Sequence, residues 1–247
     1  MLKKFLASVG IGAAKVDTIL QTEYLQAGQT FQAEIVITGG DVAQELSGLE
    51  LALMTQAKQE TDNGSCFVNH VIEQWHLSDR ITLQAGEVVR LPFSEQLHPE
   101  TPVTELPTSH NQCDVWLATG LNIDMAVDAS DRDTLYIHPN EAMQRCMAFM
   151  EEAGFHMAKA DVEKGFLQGS GFRSHSGIYQ ELEYRPSSFG LFGVKEVELS
   201  FIPDHDQTHL LIELDRAFRG DSYLSLTIPH TADGLNCIPQ QLKQLLY

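Results

Sequence analysis

The sequence predicts an all-β protein of two antiparallel β-sandwich domains, with one short helix in the second half. Short stretches of alternating apolar and polar residues recur every ~8 to 12 residues, and turn-forming residues separate them. No helical pattern interrupts these stretches in the first half, which argues against a parallel sheet with helical crossovers. With 247 residues, the chain is long enough for two domains of ordinary size.

The first half is predicted as a series of strands. Alternation places strands at residues 14–20, 31–38, 49–54, 71–77, 81–85 and 116–123. The polar stretch from Gln59 to Ser65 predicts a hairpin loop. Prolines at positions 92, 99 and 102 predict an edge of the sheet, where a missing backbone donor does no harm.

The stretch from Val115 to Pro139 is predicted as a strand, a hinge and another strand, because its middle is almost wholly polar. We therefore predict an N-terminal domain of residues 1–130 and a C-terminal domain of residues 131–247. The hinge between them is assigned to Asp128, Asp131, Arg132 and Asp133. No low-complexity linker separates the halves, so we expect them to be docked with limited relative motion.

The second half begins with the predicted helix. Asn140 can cap its start, Gly154 can end it, and its methionine-rich apolar face is expected to pack into the core. Further strands follow, and Pro203 to Thr208 predicts a polar hairpin loop between two of them. Leu235 to Tyr247 is predicted as a short helical tail.

Charge and composition narrow the classes of partner. The chain carries 16 Lys and Arg against 34 Asp and Glu, a net charge of -18 that repels nucleic acid and anionic lipid surfaces. Its apolar stretches are too short to span a membrane, which takes about 20 residues. The four cysteines are widely spaced, with no pair at zinc-ligand spacing, and predict reduced thiols in the cytoplasm.

No site for a metal, a cofactor or catalysis is predicted. Asp204, His205, Asp206 and His209 are competent ligands, but the side chains of a hairpin loop should point several ways into water. The acidic residues of the hinge lack the glycine and distal glutamate of a calcium loop. Serine, histidine and aspartate occur without a G-x-S-x-G elbow. We therefore predict that the protein is not an enzyme.

The N-terminal segment could contact a membrane. Leu2, Phe5, Leu6 and Val9 lie on one face of a short amphipathic turn that carries two lysines on another face. Interfacial helices usually have longer and more basic faces, so docking on the protein's own sandwich is favoured. The segment is not interpreted as a signal peptide, because glycines break its apolar stretch.

Several segments together carry a resemblance to a known family. The most specific is Trp116–Ile123 with the acidic residues at 128, 131 and 133 and Pro139, and the others are Lys4–Thr18, Tyr24–Gly39, Ala153–Phe155, Glu181–Pro186 and Glu213–Arg216 with Gly220. They resemble the SpoOM family, the bacterial sporulation-control proteins, which belong to the wider arrestin-like group. The match is spread over most of the chain.

The resemblance implies two arrestin-like β-sandwich domains, a cytoplasmic location and a regulatory role exercised through protein contacts. It brings no catalytic residues with it. A partner protein, of unknown identity, is expected to bind a sheet edge or the cleft between the sandwiches, and an exposed edge could also pair with a second copy to form a homodimer. The alternatives left open are a membrane-peripheral adaptor that uses residues 2–9 and a metal-dependent hydrolase that uses residues 204–209.

Overall fold

The computed structural model describes residues 12–62, 64–124, 128–169, 171–187, 193–216 and 220–246. Up to Pro139 the elements are β1 (Lys15–Leu20), β2 (Leu25–Gln26), β3 (Thr30–Thr38), β4 (Gln44–Thr61), β5 (Gly64–Ser78), β6 (Ile81–Leu83), β7 (Val88–Gln96), β8 (Val115–Ile123), β9 (Ala129–Thr134) and β10 (Ile137–His138). After Pro139 they are α1 (Glu141–Glu152), β11 (Phe155–Lys164), β12 (Gln168–Gly169), β13 (Phe172–Arg173), β14 (Ile178–Pro186), β15 (Val194–Pro203), β16 (Gln207–Arg216), β17 (Gly220–Pro229) and α2 (Ala232–Leu246). Strands dominate, so the all-β prediction is confirmed.

One large sheet runs through both halves of the chain. Within the described residues it has ten strands in the order β17-β16-β15-β14-β11-β4-β8-β9, and β5 and β6 pair with the other edge of β4. Most of its neighbours are antiparallel, but β11 meets β4 in parallel where Glu163 pairs with Lys58. A smaller sheet of order β1-β3-β7 lies over the N-terminal part.

The N-terminal half is a sandwich of these two sheets. Phe31, Ile35 and Ile37 of β3 are fully buried, and they share one core with the inward-facing leucines of β4 and β8. Aromatic rings close one part of this core, where Phe31 and Phe93 have centroids 5.5 Å apart in a tilted arrangement. The alternation that predicts each strand is therefore the alternation between core and solvent.

In the C-terminal half, helices cover the sheet. Asn140 caps α1, since its Oδ1 accepts a hydrogen bond of 2.9 Å from the Met143 N–H, and Gly154 follows the helix with a φ of +87°. The predicted start and end of this helix are confirmed. Cys146 and Met150 are fully buried against the sheet, which agrees with a core role for the apolar face.

The second helix is longer than the predicted tail. Helix α2 has 15 residues and contains Pro239, whose missing N–H normally argues against a helix interior. Its buried side chains recur at helical spacing and join the C-terminal core: Leu235, Ile238, Leu242 and Leu246. Burial of this stripe outweighs the proline. The predicted helical tail is therefore confirmed, and the helix begins three residues before the predicted start at Leu235.

The predicted loop between Gln59 and Ser65 is mostly strand. Strands β4 and β5 pair all the way from Leu49 and Ser78 to Thr61 and Gly64, so most of the predicted loop belongs to the two strands. Backbone hydrogen bonds along this exposed ribbon outweigh the polar composition of its tip. The β4–β5 hairpin therefore extends well beyond the end of β8, which pairs with β4 only as far as Thr55.

The two cores do not divide the chain at a single point. Leu135 and Ile137 belong to the N-terminal core and Ala142 and Met143 to the C-terminal core, but Ala57, Val103 and Cys113 of the first half also belong to the C-terminal core. The predicted boundary between residues 130 and 131 and the division into two domains stay predictions. No helix among the described residues is long and apolar enough to cross a membrane.

Candidate functional site

Three of the four residues assigned to the hinge lie in a strand. Asp131, Arg132 and Asp133 are in β9, which pairs with β8 from Ala129 to Thr134, so these three positions are themselves part of a strand. Asp128 precedes the strand, and its Oδ1 accepts a hydrogen bond of 3.0 Å from the Ile123 N–H. The polar composition reflects the exposed edge position of β9. A hinge role for these residues stays a prediction.

The acidic residues of β9 tie it to the smaller sheet. The Thr18 N–H of β1 donates a hydrogen bond of 2.7 Å to Asp131 Oδ2. Burial, and then the charges of Asp131 and Asp17, raise the pKa of Asp133 to about 7. On the other side of the strand, the Arg132 guanidinium lies 4.0 Å from the ring centroid of Trp116. These contacts close one side of the N-terminal sandwich.

The candidate metal ligands near residue 204 do not converge. Asp204, His205 and Asp206 form the exposed turn between β15 and β16. His209 is instead buried, with its ring stacked on Phe172 at a centroid distance of 4.5 Å. Across the described residues, a grouping of three or more such ligands within 4.8 Å occurs on a different surface, at Asp161, Glu163 and Glu181.

A polar cleft lies between the two halves. Two adjoining cavities of about 390 and 400 Å³ share Pro99, Pro203 and Asp204 in their walls, with further residues from both halves. Many of the polar groups around this cleft already bond to one another. The Glu100 carboxylate of the N-terminal half accepts hydrogen bonds from the backbone N–H groups of His175 and Ser176. The cleft is therefore chiefly a joint that holds the halves together.

The outer face of the sheet in the C-terminal half is acidic. Its carboxylates alternate along the strands with the buried residues of the core: Asp161, Glu163, Glu181, Glu183, Glu196, Glu198 and Glu213. Lys58, from the β4–β5 hairpin, reaches across and lies 2.7 Å from a Glu163 oxygen. Lys159 pairs with the buried carboxylate of Asp161. Two of the three grouped carboxylates are thus neutralised by lysines.

Crowding changes the protonation of the remaining carboxylates. Burial, and then the charge of Glu198, raise the pKa of Glu181 to about 8. Burial, followed by the charges of Glu213 and Glu196, raises the pKa of Glu198 to about 7. Burial disfavours the charged form of both carboxyl groups, and repulsion between like charges on neighbouring strands adds to this effect. This face consequently carries less negative charge near neutral pH than its composition suggests.

Strand β5 exposes a long edge. It pairs with β4 over its whole length, and no other strand in the described ranges pairs with its second edge. Phe67 and Val71 on this strand are 44% and 45% exposed. Glu73 is the single Asp, Glu, Lys or Arg from Gly64 to Ser78. In a chain with a net charge of -18, this is an unusually neutral strip of surface.

Sequence reasoning located the strand but not its place at the edge. The alternation from Val71 to Leu77 predicts strand β5, whereas pairing partners depend on the whole sheet. The scarcity of charge between residues 64 and 78 argues against an edge position, because natural edge strands usually carry charges or prolines that block further pairing. The sequence therefore provides no signal for this edge.

Comparisons with known proteins agree with this architecture. The SpoOM protein family model matches residues 2–218. The sporulation-control protein spo0M of Bacillus subtilis (strain 168) is 31% identical over 220 residues, which cover 88% of this chain and 81% of that protein. The crystal structure of Spo0M, sporulation control protein, from Bacillus subtilis, superposes with a TM-score of 0.83 at 25% identity, covering 96% of this chain and 98% of that one. The chain therefore belongs to the SpoOM family and has an arrestin-like fold.

Proposed function

We propose that this protein is a non-enzymatic, cytoplasmic regulator of the sporulation-control type, which acts through protein contacts at the free edge of β5. The relative's role in sporulation control supports the regulatory part of this proposal. The observation that carries the contact surface is the 15-residue strand β5, whose second edge is unpaired within the described residues.

An unpaired strand edge can bind another extended segment. Along such an edge the backbone N–H and C=O groups point outward at every second residue and can pair with a partner strand, as in β-strand addition. Alternate side chains then provide specificity. On β5 the exposed Phe67 and Val71 would contact the side chains of the added strand.

The edge strand β7 of the smaller sheet provides an internal contrast. It contains Pro92, which lacks a backbone donor, and the charged residues Arg90 and Glu95. Such residues oppose the addition of another strand. Strand β5 has no proline and a single charged residue. It therefore lacks the residues that would oppose strand addition, whereas β7 has them.

Several properties support the cytoplasmic location and the class of partner. All four cysteines, each of which the structure describes, are free of disulfides, which fits a reducing compartment. The net charge of -18 disfavours nucleic acid and anionic membranes. The membrane-peripheral alternative depends on residues 2–9. These lie outside the described residues, so that alternative stays a prediction.

The test is a crosslinking pull-down from native lysate with wild type, Val71→Lys and Val88→Lys. Both valines are exposed and lie on edge strands, but Val88 is on β7. We expect Val71→Lys to reduce recovery of a reproducible partner by about 10-fold, which corresponds to ~1.4 kcal/mol, and Val88→Lys to leave it unchanged.

Equal recovery with the two lysine variants would contradict the β5 edge as the contact surface. If the partner is a second copy, light scattering of purified protein will show a dimer that Val71→Lys dissociates. Absence of both a dimer and a reproducible partner would contradict a role in protein contacts.

A further inference from the structure

A third cavity lies beside helix α1, away from the β5 edge and from the cleft. It has a volume of about 450 Å³, within the range of small-molecule sites. Residues of the helix, the start of β11, β14 and the chain before β8 line it, and many of them are apolar or aromatic: Pro107, Met147, Ala148, Phe155, Met157 and Tyr184. We refer to it as the α1 cavity.

Tyr184 is the unusual residue of this wall. The residue is 2% exposed, and its hydroxyl is buried with no hydrogen-bond partner among the residues that the structure describes. Buried hydroxyl groups nearly always have a partner, because leaving one unpaired loses the hydrogen bond that water would have made. Tyr184 therefore lines the cavity while its hydroxyl lacks a partner within the described residues. A mostly apolar wall with one polar group of this kind is typical of a small-molecule binding site.

The surroundings of the hydroxyl indicate which chemistry would satisfy it. Burial raises the pKa of Tyr184 and keeps it a neutral donor, so the matching group is an acceptor oxygen. The exposed carboxylate of Glu151 at the rim, together with the net charge of -18, disfavours anions.

The walls can adapt to a ligand. The hydroxyl oxygen is shielded from water, so a ligand reaches it only when a neighbouring side chain moves. Met147 and Met157 are in the wall, and the flexible methionine thioether changes rotamer more readily than other apolar side chains.

We propose that the α1 cavity binds a small neutral molecule that has an apolar body and one acceptor oxygen, and that this oxygen accepts a hydrogen bond from the Tyr184 hydroxyl. The site is independent of the β5 edge, since it lies in the C-terminal core and shares no residue with β5. The protein would then bind a small molecule at the α1 cavity as well as a protein partner at the β5 edge.

The test uses acetophenone as the probe and ethylbenzene as the matched control, which has a similar apolar body without the carbonyl oxygen. Binding of each to the wild type and to Tyr184→Phe is followed by protein-observed NMR. Acetophenone should bind the wild type at millimolar concentrations, shift signals of Met147 and Phe155, and lose about 10-fold in affinity with Tyr184→Phe. Ethylbenzene should bind both proteins equally.

Two controls keep the result interpretable. Tyr184→Phe removes an unpaired buried hydroxyl, so the ligand-free variant should melt about 2 °C or more above the wild type, which also shows that it folds. Ala148→Phe changes an exposed helix position in the cavity wall and should abolish binding of both probes. The proposal is overturned if acetophenone does not bind the wild type, or if Tyr184→Phe leaves its affinity unchanged or weakens both probes equally.

Discussion

The two halves of this protein cover the same sheet in different ways. In the N-terminal half the strands β1, β3 and β7 lie over β4 and β8, whereas in the C-terminal half the helices α1 and α2 lie over β11 and β14–β17. Both covers bury an apolar face of the sheet. A sheet thus requires an apolar layer on its inner face, and the local periodicity of the covering segments decides which kind of layer forms.

The halves also differ in their exposed surfaces. The N-terminal half presents the nearly uncharged edge of β5, and the C-terminal half presents an acidic face whose carboxylates are crowded. The β4–β5 hairpin joins the two, because Lys58 on β4 pairs with Glu163 on β11. Three predictions separate the contributions of the two halves.

The largest expected effect comes from truncating an aromatic side chain in either core. Phe31→Ala in the N-terminal core and Phe155→Ala in the C-terminal core should each lower the free energy of unfolding by ~3–5 kcal/mol, because both side chains are buried. Chemical unfolding should be followed by two signals. Tryptophan fluorescence reports the N-terminal half, which contains Trp75 and Trp116, and circular dichroism reports the described helices of the C-terminal half.

We expect both signals to shift together for either variant, because the shared sheet and the hydrogen bonds of the joint couple the halves. As a control, Phe166→Ala at a position that is 55% exposed should change the stability by less than about 0.5 kcal/mol. If Phe155→Ala moves only the circular dichroism transition, the halves unfold independently and the coupling is wrong.

An intermediate effect is expected at the junction of the halves. Lys58→Met leaves the Glu163 side chain, which is 11% exposed, without its cation, and should lower the free energy of unfolding by ~2–3 kcal/mol. The hydrogen bond to Glu163 raises the pKa of Lys58, so the pair persists at alkaline pH. Urea unfolding of the variant and the wild type measures the loss.

Lys195→Met is the matched control for this junction. Lys195 is 61% exposed and lies 3.4 Å from Asp215, so its loss should change stability by less than ~0.5 kcal/mol. Adding Glu163→Gln to Lys58→Met should recover part of the stability, because the uncompensated charge is removed. Equal losses of stability for the two lysine variants would show that the Lys58–Glu163 pair stabilises the fold no more than an exposed ion pair does.

The smallest effect concerns the acidic face and depends on pH. The pKa of Glu181 is raised from 4.5 to about 8 in the folded protein, first by burial and then by Glu198. The unfolded chain therefore releases this proton at lower pH than the folded protein does. Rising pH between these two values lowers the free energy of unfolding, and the stability that this protonated carboxyl contributes is fully present only below the unfolded value.

Glu181→Gln removes this titration. The variant should be more stable than the wild type by ~1–2 kcal/mol near pH 9, and the difference should shrink as the pH falls toward about 5. Thermal melts across this pH range provide the measurement, with Glu95→Gln on the exposed edge of β7 as the control. A constant difference between Glu181→Gln and the wild type would contradict a raised pKa.

Much of the fold was predictable because it depends on local patterns. Alternation identified many of the strands of both halves but not β11, and Asn140 and Gly154 marked the limits of α1 within two residues. The helical tail predicted from Leu235 is confirmed as α2, which begins three residues earlier, at Ala232. The three polar residues of β9 were assigned to a hinge because an edge strand and a loop can have the same composition.

The candidate sites were less predictable. The scarcity of charge around β5 is visible in the sequence, but whether a strand lies at an edge depends on which strands pair. Asp204 and His209 line the same cavity, yet within the described residues the grouping of three metal ligands occurs elsewhere, at Asp161, Glu163 and Glu181. The α1 cavity gathers residues from three distant segments, and no spacing rule connects them.

The sequence by itself determined the type of most elements and the family, because side-chain periodicity and residue identity are properties of short segments. Strand pairing and packing in three dimensions establish that both halves share one sheet, and that among the described residues β5 has an unpaired edge and the Tyr184 hydroxyl is buried without a partner. Each of these depends on contacts between residues far apart in the chain. Such contacts are selected by the packing of the whole core and by the pairing of every backbone group.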